Sequence, residues 1–414
     1  MKKKLLIFAE TIDIDASSAG KANAGFIHSL VTTGFDVSVL HYSHKEITLP
    51  SIQPLLITES KTDINYWLSR VQRVLQRISG KNFSKSLENR FGFSFTFKND
   101  TNSMAHAIKS VKNDFDLLIT LSKGASYRTH AAALKCPKLH HKWLAYMHDP
   151  YPFHLYPPPY NWKEAGSQQK EAFFKEVSEK ARYSGFPSKL LMEWMSAYFP
   201  NFLKTGIVLP HQNIRVELKV DKVPDYLDVK KFNIMHAGSL LDHRNPFPLI
   251  EGYRKFLLEN AEAAEDSQLL LIGSATFHEP SLTNECRVTP SIYKSDGYIP
   301  FYEVQAIQKH TTCLIVLEAI SSVSPFLPGK FPHYVKENKT IIHLGPKNSE
   351  TRRLLGEAYP FSCDANDIDE ISNIISKLYK LWKRNIPLNL NRPDLQYYSS
   401  ITYFNNQFRT LFNE

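Results

Sequence analysis

The chain is most informative first for what it does not contain. Its four cysteines, Cys136, Cys286, Cys313 and Cys363, are scattered, with no metal-ligand spacing and no pairing pattern. That excludes a disulfide-framed secreted domain and a zinc module, and it fits a reducing compartment. No apolar run approaches the ~20 residues that a membrane-spanning helix needs. The opening MKKKLLIFAE is too short in its apolar part, Leu5 to Ala9, to be a signal peptide, and Glu10 and Asp13 close it. There is no G-x-G-x-x-G, no internal repeat, no coiled-coil heptad and no low-complexity segment. A D-x-D pair exists at Asp13 and Asp15, but it falls at the end of the first strand, too early for a metal-holding pair. No nucleic-acid recognition motif accompanies the net charge of +9, and the basic residues are spread along the chain.

What is present is a 43% apolar composition over 414 residues, enough for two domains with real cores. The excess of cations favours anionic partners. Short continuous apolar runs recur between helical patterns: Leu5–Ala9, Val37–His41, Leu55–Ile57, Leu117–Leu121 and Trp143–Met147. After a break come Phe232–His236, Leu269–Ile272, Cys313–Leu317 and Thr340–Leu344. Runs of this kind predict strands buried on both faces, hence parallel sheets wrapped by helices. The break, Leu209 to Val229, contains Pro210, Pro224 and mixed charge, and it predicts the domain boundary. The expected architecture is α/β, two tandem doubly wound, Rossmann-like domains facing a cleft. Residues 1–212 and 213–390 form the domains, and a tail helix within 391–414 returns to the first. Ligands of such sheets bind beyond the carboxyl ends of the strands.

Several stretches carry candidate chemistry. In the first domain the small-residue loop Asp13 to Gly25 predicts close backbone approach, with a helix over Asn23 to Thr33. His148 and Asp149 fall at a strand end and are candidates for hydrogen bonding or proton transfer. The loop that follows, with Tyr151, His154 and Tyr156, has the aromatic faces and hydroxyls that suit sugar rings. Tyr66 to Ile78 is amphipathic, with Arg70, Arg73 and Arg77 on one face and Trp67, Leu68, Val71, Val74, Leu75 and Ile78 on the other. It reads either as a contact with an anionic membrane surface or as a surface helix packing its apolar stripe on its own domain.

In the second domain, FNIMHAGSLLDHRNP turns at Gly238 and places Arg244 before a helix begun by Pro246. Arginine there is suited to grip diphosphate with two N–H groups. Gly273 and Glu318 end two further strands. The stretch SPFLPGKFPHYVKENKTIIHLGP holds an apolar, proline-stiffened loop, then Gly329 and Lys330 at the mouth of a short helix, Phe331 to Glu337. Free backbone N–H groups, a lysine and a helix start are a way of holding phosphate.

These pieces together resemble the GT-B fold glycosyltransferases, most of all glycosyltransferase family 4. The resemblance rests on Gly20 and Gly25 before a G-F-D-V-S-V strand, on His148-Asp149, on AGSLLDHRNP, and on PGKFPHYVKENKTII. It implies an enzyme that moves a sugar from a UDP- or GDP-linked donor to a glycan or lipid-linked acceptor, with retention and without a metal or other cofactor, in bacterial-type surface polysaccharide or glycoconjugate synthesis. It implies that Arg244 and Lys330 neutralise the diphosphate, that the Gly20 loop approaches the phosphates and that His148 touches the transferred sugar. The backbone of Tyr298 and Ile299 would meet the base. Gly238, Gly273, Glu318 and Gly329 complete the expected donor site. Where the family carries an acidic residue for the ribose, this chain has His333, so His333, Glu318 or Glu337 would take that contact. A cytoplasmic protein, peripheral on the inner face of the plasma membrane, is the expected setting. A sugar-nucleotide 2-epimerase and a non-catalytic nucleotide- or glycan-binding subunit are the competing readings.

Overall fold

The computed structural model describes residues 2–160, 162–213 and 223–412; part of the expected boundary stretch, 214–222, lies outside them. The chain forms two compact units. The first holds what precedes Pro157, then Tyr160 to Asn213, and takes back the tail from Ile401; the second holds Pro157–Pro159 and the rest up to Ser400.

The first unit is built on a seven-stranded parallel sheet. In chain order its strands are β1 (Lys4–Ala9), β2 (Asp36–His41), β3 (Leu55–Leu56), β4 (Leu117–Leu121), β5 (Trp143–Tyr146), β6 (Tyr183–Phe186) and β7 (Gly206–Val208), arranged β3-β2-β1-β4-β5-β6-β7. The second unit carries β8 (Phe232–Ala237), β9 (Ser267–Ile272), β10 (Ile292–Lys294), β11 (Cys313–Leu317), β12 (Val323–Ser324), β13 (Thr340–Leu344), β14 (Asn348–Ser349) and β15 (Ser362–Cys363). Six of these form a parallel sheet, β10-β9-β8-β11-β13-β15, and β12 pairs with β14 alone. In both sheets the strand order reverses beside the first strand of the unit, as in doubly wound folds.

The continuous apolar runs become strands covered on both faces. In β8, Phe232 and Ile234 join a core with Tyr253, Phe256 and Ile371, whereas Met235 and Ala237 join another with Phe331, Tyr334 and Val335. β11 divides in the same way, Cys313, Ile315 and Leu317 against Leu314 and Val316. Successive side chains of a strand point to opposite faces, so such a run needs a helix layer on each side. The first unit buries Phe8, Met104, Leu118, Trp143 and Phe174 around its own sheet.

Six strands escaped the sequence pattern: β6, β7, β10, β12, β14 and β15 are two to four residues long and hold Ser, Gly, Tyr or Lys in place of an aliphatic run. Helix ends follow side-chain capping. Ser17 accepts from the Gly20 amide, so the first helix runs over Ser18–Thr32 and begins five residues earlier than expected. Ser349 accepts from the Arg352 amide at 2.9 Å. The tail is two helices rather than one. Pro393–Tyr398 stays with the second unit, where Arg392 donates to the Leu354 carbonyl. Ile401–Arg409 joins the first, its Phe404 and Phe408 rings set edge-on at 5.0 and 5.3 Å to Phe26 and Phe35.

The helix Ile64–Ser79 departs most from the packed alternative. Ser69 is its one buried residue, and the apolar stripe faces outward, with Trp67 61% and Ile78 78% exposed.

Candidate active site

Two basic side chains, Lys330 and Arg244, lie where β8, β9 and β11 end in the second unit. β8 passes its last residues, His236 and Ala237, into Gly238, whose φ of +137° suits glycine. Gly273 ends β9 with φ +129°, and a Cβ on it would meet the Gly238 carbonyl oxygen at 2.7 Å. The two glycines therefore pass back to back, and the room made at Gly238 is taken by Lys330: a Cβ there would lie 3.0 Å from Nζ. The Lys330 ammonium sits 3.3 Å from Nε2 and 3.4 Å from Nδ1 of His236. Being nearly equidistant from both nitrogens, it lies across the ring rather than on a single lone pair.

Electrostatics around this lysine is unfavourable as it stands. Burial, and then the Arg244 guanidinium, push the Lys330 pKa well below its ordinary value, with Glu318 pulling weakly the other way. Burial, Lys330 and Arg244 likewise hold the fully buried His236 ring well below the usual histidine range, so it is neutral. Lys330 forms no ion pair with a carboxylate among the described residues. Arg244 is held by a hydrogen bond from Nη1 to the Ser239 carbonyl at 2.9 Å, inside the turn that follows β8. Two cations thus converge on a glycine-lined strand end. Such a convergence of basic groups is suited to an anion.

The other expected donor contacts fall around this centre. Glu318, directly after β11, is buried; its Oε1 accepts from Thr351 at 2.7 Å, and its Oε2 lies 3.6 Å from His343 Nε2. It is braced by a polar network under β13, and it reaches Lys330 by charge. His333 is 8% exposed in the helix Phe331–Lys336, its ring edge-on to Phe301 at 5.1 Å. That helix has six residues, so the side chains of Lys330 and Arg244, not its dipole, supply the positive field. Tyr298 and Ile299 follow β10, with the Tyr298 ring 54% exposed. Gly329 is open: a Cβ there would touch nothing within 4 Å.

In the first unit, Asn23 was not singled out from the sequence, yet it organises the end of the sheet. Its Nδ2 donates to the carbonyls of Thr11 at 2.8 Å and Ser122 at 3.0 Å. Its Oδ1 must then accept, and His148 Nε2 lies 2.8 Å away as donor. This fixes the neutral tautomer and leaves the lone pair on Nδ1. Burial and the neighbouring His211 and His130 rings keep His148 well below the ordinary pKa, and it stacks on His211 at 5.9 Å. Asp149 is positioned through its backbone: its amide donates to the Tyr127 hydroxyl at 3.2 Å, and its carbonyl accepts from that hydroxyl. Burial raises the Asp149 carboxyl to about 6.

The aromatic loop divides. Tyr151 is 3% exposed and packs its ring on Tyr127 and Phe174, behind the loop. His154 pairs with Glu171 at 3.2 Å. Tyr156 clusters with Tyr160 and Trp162. The Gly20 position is filled from within the protein, since a Cβ there would lie 1.9 Å from the Asp13 carbonyl oxygen. Asp13 is lowered in pKa: burial works against it, and Lys45, 2.5 Å away, outweighs the burial together with loop amides.

Sequence alone gave no sign of His236, because a histidine inside a strand carries no motif. The signal that could have found it is the alternation of β8, which sends it to the face its neighbours Ile234 and Phe232 fill.

No protein-family profile and no curated protein sequence matches the chain. Solved structures do. HepE of Anabaena, in complex with UDP and glucose, superposes with a TM-score of 0.60 at 11% identity, covering 99% of each chain. The α,α-trehalose 6-phosphate synthase of Burkholderia multivorans gives 0.63 at 11% identity, over 99% of this chain and 98% of that one. The lipopolysaccharide outer core galactosyltransferase WaaB, in its apo form, gives 0.58 at 12% identity over 99% of each. At these identities the likeness is one of fold, and it spans nearly the whole chain: two doubly wound α/β units in tandem, the GT-B fold of these sugar-transferring enzymes.

Proposed function

We propose that this protein is a glycosyltransferase that takes a sugar from a nucleoside-diphosphate donor, UDP- or GDP-linked, and passes it to a glycan or lipid-linked acceptor. The observation that carries the reading is the pair Lys330 and Arg244 at the glycine-lined ends of β8 and β9, with no carboxylate ion-paired to the lysine among the described residues. Cleaving a sugar–phosphate bond leaves a nucleoside diphosphate with growing negative charge, and fixed cations at that leaving group favour the transition state over the ground state. Arg244 and Lys330 take the diphosphate, and the backbone at Gly238, Gly273 and Gly329 lets it come close. Tyr298 and Ile299 take the base, and His333 or Glu318 the ribose. His148, with its lone pair on Nδ1, and Asp149 serve the sugar and its acceptor, with His154 and Tyr156 on the loop beyond and Tyr151 supporting them. The reaction retains anomeric configuration and needs no metal. Its product belongs to surface polysaccharide or glycoconjugate synthesis, and the protein works in the cytoplasm, peripheral on the inner face of the plasma membrane.

The test is a thermal-shift series with UDP, GDP, their sugars and the parent nucleosides. A ligand at a hundred times its Kd stabilises by about 2.7 kcal/mol. One diphosphate series should raise the melting temperature while uridine and guanosine do not, and Lys330→Met should erase the difference. Product analysis on the best donor should then show transfer or hydrolysis; an isomerised donor would make it an epimerase. No shift with any diphosphate refutes the reading.

A further inference from the structure

The helix Ile64–Ser79 is turned inside out relative to an ordinary surface helix. Its polar side meets the rest of its unit: Ser69 is buried, and Gln72 and Gln76 both donate to the Ser84 hydroxyl, at 3.1 and 3.0 Å. Asp63 caps the start and accepts from Asn102 at 2.6 Å, tying the helix to Phe95–Ser110. The apolar side is left outside. Ile64, Trp67, Val71, Val74, Leu75 and Ile78 are 71, 61, 53, 55, 52 and 78% exposed. At 100° per residue these six fall within a sector roughly 100° wide that runs the helix length, about 24 Å. Scattered exposed aliphatics need no explanation, but a continuous stripe of this size on a well-capped helix does.

The neighbouring sector supplies the chemistry of the occupant. Arg70, Arg77 and Arg73 lie on the flank between the apolar stripe and Ser69, Arg70 nearest the stripe and Arg73 nearest Ser69. Arg70 lies 3.7 Å from Glu59 and stacks over Tyr66, and Arg73 bonds back to the Ser69 carbonyl. Residues 61–98 as a whole carry eight lysines and arginines against two carboxylates. An apolar stripe with tryptophan, flanked on the same exposed surface by cations, is complementary to a bilayer interface: acyl chains against the stripe, anionic headgroups against the arginines.

We propose that this helix lies in the plane of an anionic membrane with its apolar stripe inserted, so that the first unit is held by insertion as well as by charge. The inference deepens the peripheral-membrane part of the function proposed above and rests on that reading, but not on the donor site. It differs from attraction by the arginines alone in what salt does to it: charge is screened, burial of aliphatic surface is not.

The experiment is vesicle flotation with roughly 3:1 phosphatidylcholine and phosphatidylglycerol, using the intact protein. Wild type should float with these vesicles and remain partly bound at high salt. A quadruple variant, V71S/V74S/L75S/I78S, should lose about a hundredfold in partitioning. Brominated lipid should quench tryptophan emission in wild type and not in Trp67→Phe. All five positions are exposed, so the variants should fold, and their thermal shift with UDP should match wild type. A missing UDP shift would therefore indict the donor site and not the membrane helix. The proposal is overturned by equal flotation of wild type and quadruple variant, by binding that salt abolishes with no Trp67 quenching, or by absence of binding. It is equally overturned if sedimentation shows a dimer that the quadruple variant dissociates and wild type ignores vesicles, because a second copy then covers the stripe.

Discussion

Replacing Lys330 by methionine should move stability and activity in opposite directions. In the ligand-free protein the lysine is half-buried, and desolvation and the Arg244 charge depress its pKa well below the ordinary value. A lysine whose folded pKa is lowered binds fewer protons folded than unfolded, so it costs stability at low and neutral pH, and the cost fades as pH rises toward the unfolded value. Methionine keeps the length and removes the charge. Ligand-free Lys330→Met should therefore gain on the order of 1–2 kcal/mol at pH 7, a rise of several degrees at roughly 2–4 °C per kcal/mol. The gain should shrink as pH is raised.

The same substitution should lower kcat/KM for donor hydrolysis or transfer by about a hundredfold, because removing one preorganised charge from a developing anion typically costs ~3 kcal/mol. There is a third signature. Binding of a diphosphate raises the Lys330 pKa, so the protein takes up a proton as UDP binds, and affinity weakens as pH rises through the free lysine's pKa. Calorimetry in buffers of different ionisation enthalpy would detect that proton in wild type and its absence in the variant. If Lys330→Met melts at or below the wild-type temperature and binds UDP with wild-type affinity and buffer-dependent heat, the lysine faces solvent and the site is misassigned.

Arg244→Ala should cost on the order of a hundredfold in kcat/KM, because it removes one preorganised charge from the strand end where Lys330 also lies; wild-type turnover would contradict this. Gly238→Ala should weaken UDP binding without replacing an ionisable group, because its Cβ would press on Lys330 Nζ from 3.0 Å in a left-handed backbone conformation; an unchanged UDP thermal shift would refute it. Asp149→Asn should stabilise the protein at neutral pH by about 1–3 kcal/mol, since burial holds this carboxyl at about 6. That gain should be full above pH 6 and gone by about pH 4, as urea titrations at several pH values would show. Activity should survive EDTA in wild type, and full loss rescued by Mg²⁺ or Mn²⁺ would overturn the metal-independent mechanism.

The fold was legible because buried parallel strands advertise themselves. β4 is Leu-Leu-Ile-Thr-Leu and β11 is Cys-Leu-Ile-Val-Leu, and no surface element could afford either. The short edge strands were silent, since β7 and β15 need only a few backbone pairings and no apolar run. Arg244 and Lys330 were legible from their places after strand ends. The partners that define their chemistry were not: His236 meets Lys330 across 94 residues, and Asn23 meets His148 across 125, distances over which sequence carries no local signal.

The helix Ile64–Ser79 shows a different limit. Its periodicity was plain in the sequence, but periodicity states only that a helix has two faces, not which one the protein keeps. The rule that the apolar face turns inward assumes the domain's core is the best apolar surroundings on offer. Here the neighbours present hydroxyls and amides, Ser84, Asn82 and Asn102, and these pair with Gln72, Gln76 and Asp63. Once those bonds fix the polar side inward, rotation by half a turn would bury the stripe against polar groups and strand both sets. The outward stripe is thus the orientation that the surrounding sequence enforces. A fold that spends its polar contacts on holding an apolar surface outward has, in effect, reserved that surface for something other than its own core.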